Sequence, residues 1–212
     1  TFSITGKGYG HGIGMSQYGA RGYARHSWKY DAIIKHYFTG VSVSAASWAT
    51  DSLNEPTVKV AIQKTNTAAT YWTMRANSGQ LWIAEGDSQD ASLKLTKGVY
   101  YTICIPGGSG DTRIVVRHVD STGKTVVDKT FASTVDSVRA WERDTSQPRY
   151  AGKVEISNAS GPWAWTGVAY RGSIILSRDT SSVTTLHLYN LLYIEDYLKG
   201  VVPREMPASW ET

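Results

Sequence analysis

The sequence predicts an α+β fold, mainly antiparallel β, with a short helical N-terminal segment and a short helix near the C-terminus. Three patterns predict it. Tyr30, Ile33, Ile34 and Tyr37 recur at i, i+3, i+4 and i+7, the spacing of one helix face. From Thr57 onward the apolar period becomes two, as in Val58, Val60 and Ile62. Past the apolar run Leu186 to Leu192, the segment Tyr193 to Gly200 turns helical again.

Taken in order, Gly6 to Gly14 places a glycine at every second position, which no stable helix tolerates. Ser16 is placed to cap a helix over Gln17 to Arg25, and Gly40 stands where the second helix should stop. Ile114-Val115-Val116 and Ile174-Ile175-Leu176 have the look of buried strands, and Leu93 and Leu95 alternate with polar neighbours. Turn chemistry separates the strands at Asn77-Ser78-Gly79, Pro106-Gly107-Gly108, Ser121-Thr122-Gly123 and Ser160-Gly161-Pro162. After Tyr193–Gly200, one or two helical turns closed by glycine, the stretch Val201 to Pro207 is expected to be extended between its two prolines. The organisation expected is a glycine–histidine segment with two helices over 1–50, a β-rich middle over 51–168, and a third segment over 169–212. No period of 20–50 residues recurs, which argues against a solenoid or propeller.

The 212 residues are 41% hydrophobic and 19% charged, a globular composition. No apolar run approaches the ~20 residues of a membrane-crossing helix. The first residues lack the basic and apolar regions of a secretion signal, so any such signal is expected to be removed already or never present. Lys plus Arg number 22 against 18 Asp plus Glu, a net charge of +4, scattered rather than striped. That excludes a typical nucleic-acid binder and suits loose attraction to an anionic polymer such as a cell wall. Cys104 stands alone in an apolar strand-like run, as a buried inert thiol would. Eight Trp and 13 Tyr against 3 Phe are what stacking on sugars calls for, and equally what a β-rich core uses. Trp72, Trp82, Trp163 and Trp165 are the candidate stacking faces within the middle region, with core packing as their alternative.

Two segments carry chemistry. In Gly8-Tyr9-Gly10-His11-Gly12-Ile13-Gly14-Met15-Ser16-Gln17-Tyr18-Gly19-Ala20 a histidine is flanked by glycines, so a ligand can come close to its backbone. A phosphate-cradling loop is excluded because the G-x-x-x-x-G-K-[ST] pattern is absent. The alternative for His11 is a satisfied, partly buried structural residue. In Val201-Val202-Pro203-Arg204-Glu205-Met206-Pro207, Glu205 sits on a rigid stretch with apolar neighbours, which would raise a carboxyl pKa toward general-acid use. Its alternative is a solvent-facing glutamate paired with Arg204. His11, His26 and His36 match no metal-ligand spacing, and no metal or other cofactor is expected.

Together the two segments, with Tyr30-Asp31-Ala32-Ile33-Ile34-Lys35-His36-Tyr37-Phe38-Thr39-Gly40 and Ile194 to Trp210, resemble the stage II sporulation protein D family and its amidase-enhancer, LytB-like relatives. The segment order is reversed relative to the sporulation protein itself and is similar to that of secreted actinobacterial relatives. The family pattern also continues past the position of Trp210 into an alanine-rich helix with an Ala-Arg-[Ser/Thr]-Tyr signature. The resemblance therefore implies a truncated or cleaved chain, or a second chain completing the fold.

What the resemblance implies is lytic cleavage of peptidoglycan between N-acetylmuramic acid and N-acetylglucosamine, on strands stripped of peptides, by a secreted, extracellular or wall-associated protein. Glu205 matches the catalytic acid. His11, Ser16, Gln17, Tyr18 and Arg204 are the expected substrate-binding residues, and Glu195 and Asp196 are expected to be structural. One carboxyl suffices because the sugar's own 6-hydroxyl acts as nucleophile, whereas hydrolytic glycosidases need two. The amidase-enhancer relatives imply an alternative, a non-catalytic wall-binding module whose partner is a cell-wall amidase. In either case the two segments must meet, with Glu205 and His11 facing one cleft.

Overall fold

The computed structural model describes residues 12–46, 55–62, 70–88, 90–107, 110–143, 152–157, 168–179, 181, 184–206 and 208–210. His11, Trp163 and Trp165 lie outside the described residues. The chain divides into two compact units, Pro56–Val201 and Thr1–Glu55 with Val202–Thr212.

The larger unit is a β-sandwich. Its strands are β1 Thr57–Ala61, β2 Tyr71–Ala76, β3 Gln80–Glu85, β4 Leu93–Leu95, β5 Tyr101–Cys104, β6 Val115–Val119, β7 Thr125–Thr130, β8 Ser137–Arg143, β9 Lys153–Ser157, β10 Val168–Arg171, β11 Ser173–Arg178 and β12 Leu186–Tyr193. They form two sheets, ordered β1-β12-β11-β8-β3-β4 and β10-β9-β2-β5-β6-β7. Every pairing is antiparallel.

Alternation decides which side chains enter the core. Trp72, Met74 and Ala76 of β2 point inward, while Tyr71, Thr73 and Arg75 point out. Leu81 and Ile83, Val138 and Ala140, Ile174 and Leu176, and Leu186 and Leu188 answer them from the facing sheet, all fully or almost fully buried. The Trp72 indole is core rather than a stacking face, and its Nε1–H donates to the Leu186 carbonyl at 3.1 Å. Trp82 sits on the opposite, outer side of its sheet, half-buried between Lys94 and Arg143 at 4.6 and 5.0 Å from the ring centre. Cys104 is buried in β5, and burial pushes its thiol pKa up, away from reactivity.

Glu142, at the end of β8, is buried and joins the sheets at one corner. Its carboxylate accepts from the Ser78 and Gly79 backbone N–H groups in the β2–β3 turn, and from the Lys153 N–H that opens β9. The Ser78 hydroxyl donates to it as well, at 2.8 Å. Another corner, between β10 and β11, turns at Gly172 with φ +78°. Asn190 closes it, its amide donating to the carbonyls of Arg171 (2.8 Å) and Ser173 (3.1 Å).

The helices are α1 Gln17–Arg25, α2 Tyr30–Tyr37 and α3 Ile194–Glu205, followed by a 3₁₀ turn at Ala208–Trp210. The fold class is thus α+β and mainly antiparallel β, as the periodicities predict. One expectation is overturned. Val201 to Glu205 is helical, not extended, because α3 runs through Gly200 and Pro203 without stopping. Proline's fixed φ is itself helical, so Pro203 fits the helix path, giving up the N–H that would reach Lys199 and crowding the Lys199 carbonyl with its ring. The ladder resumes at once, with the Met206 N–H donating to the Val202 carbonyl at 2.8 Å. No helix among the described residues is long and apolar enough to cross a membrane.

Candidate functional site

The smaller unit is built around α1 and α2. Ser16 caps α1, its hydroxyl accepting from the Gly19 N–H at 3.1 Å. Gly19 is required by a close approach, since a Cβ there would land on the Tyr37 hydroxyl from α2 and crowd Ser16. Ala20 and Ile33 are the buried residues of the two helices. The Tyr23 ring joins them, lying 4.6 Å from Trp28 and 4.7 Å from His36, with its hydroxyl 2.9 Å from His36 Nε2. His26 Nδ1 lies 2.9 Å from the Gly22 carbonyl, so both described histidines of this unit have local partners. Among the described residues no three His, Cys, Asp or Glu side chains are grouped as metal ligands would be.

Three neighbouring residues of α1 meet the segment Val202–Trp210, which belongs to the same unit. Gln17 Nε2 donates to Glu205 Oε2 at 3.2 Å. The Tyr18 ring lies 4.8 Å from the Trp210 ring, tilted by 44°. Arg21 holds Trp210 twice, its Nη2 donating to the backbone carbonyl at 2.9 Å and its guanidinium lying 4.9 Å from the ring centre. The spacing 17, 18, 21 sets these side chains on one side of a helix, so a single face of α1 docks the glutamate segment. The helix that follows the glycine–histidine segment and the glutamate segment therefore meet here.

The surroundings of Glu205 differ from the expectation in two ways. Its side chain is exposed on the last turn of α3, and Val202 and Met206 beside it are exposed too, so it has no apolar enclosure. The Arg204–Glu205 ion pair is not formed among the described residues; Gln17 is the partner instead. Arg204 is exposed on the same turn. At the other end of α3, Asp196 pairs with Lys199 at 3.1 Å, a local surface contact in keeping with a structural role. Glu195 and Asp196 in the first turn also suit the helix dipole.

Arg21 and Trp210 are contact residues that the sequence reading did not single out. The signal was present, since Trp210 closes the recognised pattern and Arg21 follows Gln17 by one helical turn.

Comparison with known proteins gives the same segment. Residues 182–212 match the model of the family described as Stage II sporulation protein (SpoIID). The chain is 52% identical over 46 residues to a stage II sporulation protein D of Bacillus amyloliquefaciens, covering 22% of this chain and 13% of that protein. It is 50% identical over 44 residues to an amidase enhancer of Bacillus subtilis strain 168, covering 21% of this chain and 6% of the relative. These matches span a small fraction of the relatives' own lengths. No solved structure matches the chain. The resemblance to the SpoIID family is borne out over this short segment.

Proposed function

We propose that this chain acts on bacterial cell-wall glycan, as a lytic transglycosylase in which Glu205 is both acid and base. The single observation carrying the reading is the Gln17–Glu205 hydrogen bond, which sets the one candidate carboxyl against the glycine–histidine segment. That segment, Gly8 to Ala20, contains no Asp or Glu, so a two-carboxylate hydrolysis has no second group there. The chemistry balances with one. Glu205 gives its proton to the glycosidic oxygen as the bond from C1 breaks; the muramic C6 hydroxyl then attacks C1 and returns a proton to the carboxylate. The product is a 1,6-anhydro end. Gln17 orients the carboxylate, and His11, Ser16, Tyr18 and Arg204 are assigned to substrate binding. The protein is placed outside the cell membrane, associated with the wall; its net charge of +4 supports that placement.

Glu205→Gln tests this directly. The amide keeps volume and can accept from Gln17, but transfers no proton, so release of anhydro ends from peptide-free glycan should fall about 10²–10⁴-fold. Undiminished release removes Glu205 from the mechanism.

A second reading is favoured by the open setting of Glu205 and by the relative named amidase enhancer. Here the same surface binds glycan and stimulates an amidase without turnover. Under it, Glu205→Gln leaves amidase stimulation intact and neither protein releases anhydro ends.

A further inference from the structure

We propose that Trp210 is a positioning residue: it anchors the segment after α3 on α1 and thereby sets the Glu205 carboxyl in place against Gln17. The catalytic half of this inference rests on the reading of Glu205 as the reacting group; the geometric half is tested without it.

The end of α3 is not fixed by its own packing. The helix has no buried residue, and Val202 and Met206, the apolar neighbours of Glu205, are exposed. Gln17 and Glu205 are exposed as well, so their 3.2 Å bond joins two flexible side chains in competition with water. Such a bond orients a carboxyl that is already nearby but does not bring a backbone into register. Among the described residues, the other hydrogen bonds and ring contacts tying Val202–Trp210 to the rest of its unit are those of Trp210.

Trp210 follows Glu205 by five positions and ends the 3₁₀ turn Ala208–Trp210. It is half-buried and held through both backbone and ring. Its carbonyl accepts from Arg21 Nη2 at 2.9 Å. Its ring lies 4.9 Å from the Arg21 guanidinium and 4.8 Å from the Tyr18 ring. A broad ring with two side-chain torsions loses little freedom when it is fixed, which makes it a better anchor than a glutamine. Tyr18 and Arg21 are i, i+3 neighbours on α1, and Gln17 precedes Arg21 by one turn. The anchor and the partner of the carboxylate therefore share one helix face, and the short span between Trp210 and Glu205 limits how far Glu205 can stray from it. Trp210 acts through Glu205 rather than on the sugar.

Two variants of the full chain test this. Trp210→Ala removes the ring and keeps the backbone carbonyl; Trp210→Phe keeps a ring to face Tyr18 and Arg21. By NMR, Trp210→Ala should move the Gln17 side-chain amide and the Glu205 carboxyl carbon toward their free-peptide positions. The backbone amides of Ala20 and Ile33, buried in α1 and α2, should stay in place. Trp210→Phe should leave all four near native. For anhydro-end release from peptide-free glycan, Trp210→Ala should lower kcat tenfold or more, and Trp210→Phe by less than about threefold, with KM moving little in either. Native-like Gln17 and Glu205 signals in Trp210→Ala overturn the anchor whatever the activity. Ala20 and Ile33 displaced as far as Gln17 would make Trp210 general packing, and overturn it too. Displaced Gln17 and Glu205 with undiminished kcat, or a raised KM alone, would remove Trp210 from positioning the acid. A native protein that releases no anhydro ends sinks the reading of Glu205 instead, and the NMR signals then decide the anchor by themselves.

Discussion

Gln17 and Glu205 stand 188 positions apart in the chain, yet their side chains meet at 3.2 Å. An exposed hydrogen bond of this kind adds little to stability, so its value lies in orientation. Gln17→Ala should therefore leave the unfolding free energy within about 0.5 kcal/mol of the native protein. If Glu205 is the acid, the same change should lower kcat for anhydro-end release tenfold or more, since about 1 Å of displacement can cost on the order of 10²-fold. KM should move little. Equal kcat with and without Gln17 would reduce the contact to packing. At this scale Glu205 was singled out by its place between two prolines, and Gln17 only by the family resemblance. The exposure of Glu205 was not legible: whether valine and methionine neighbours enclose a carboxyl depends on what packs over them, and periodicity is silent on that.

At the scale of elements, local rules worked where the local chain settles its own geometry. Ser16 capping and the span Gln17–Arg25 follow from one hydroxyl before a helix-compatible run. The alternation in β1, with Val58 and Val60 at the less exposed positions, follows from a strand with one face turned to the protein. The rules failed at Pro203, where two breaker residues within four positions predict a stop and the helix continues. Neither breaker forbids right-handed helical angles, and past Pro203 the helix bond from the Met206 N–H to the Val202 carbonyl is made. Gly172 is the opposite case, a residue whose requirement is absolute. Its φ of +78° disfavours any side chain, and a Cβ would run into the Leu191 carbonyl and the Leu192 side chain. Gly172→Ala should cost about 2 kcal/mol or more by urea titration, the sum of left-handed strain and a backbone clash. A cost below about 0.5 kcal/mol would show that this corner relaxes freely.

For the whole molecule, the two sheets are joined by links that cross between them, among them β2–β3, β8–β9 and β10–β11. Glu142 gathers two of these links at once through Ser78, Gly79 and Lys153. No sequence pattern announces it, because a buried glutamate is exceptional and its partners are backbone groups far along the chain. Burial pushes its carboxyl pKa up, but the donated hydrogen bonds outweigh that and hold it below the ordinary value. Glu155, on the other sheet, is also held low, by the Tyr100 hydroxyl at 2.6 Å and the Arg75 guanidinium at 2.8 Å. A carboxyl depressed by folding stabilises the protein above its unfolded pKa, near 4.3, and this stability is lost as pH falls through the lower folded value. The protein should therefore weaken steeply below about pH 4. Glu142→Gln puts an amide donor against backbone donors and should cost about 2–3 kcal/mol at neutral pH. It also deletes the titration, so its deficit relative to the native protein should shrink as the native carboxyl takes up its proton. Urea unfolding of both proteins at pH 7, 5 and 3 reads that gap. A deficit that stays constant across the three would mean that the Glu142 charge contributes nothing and that only its shape holds the corner.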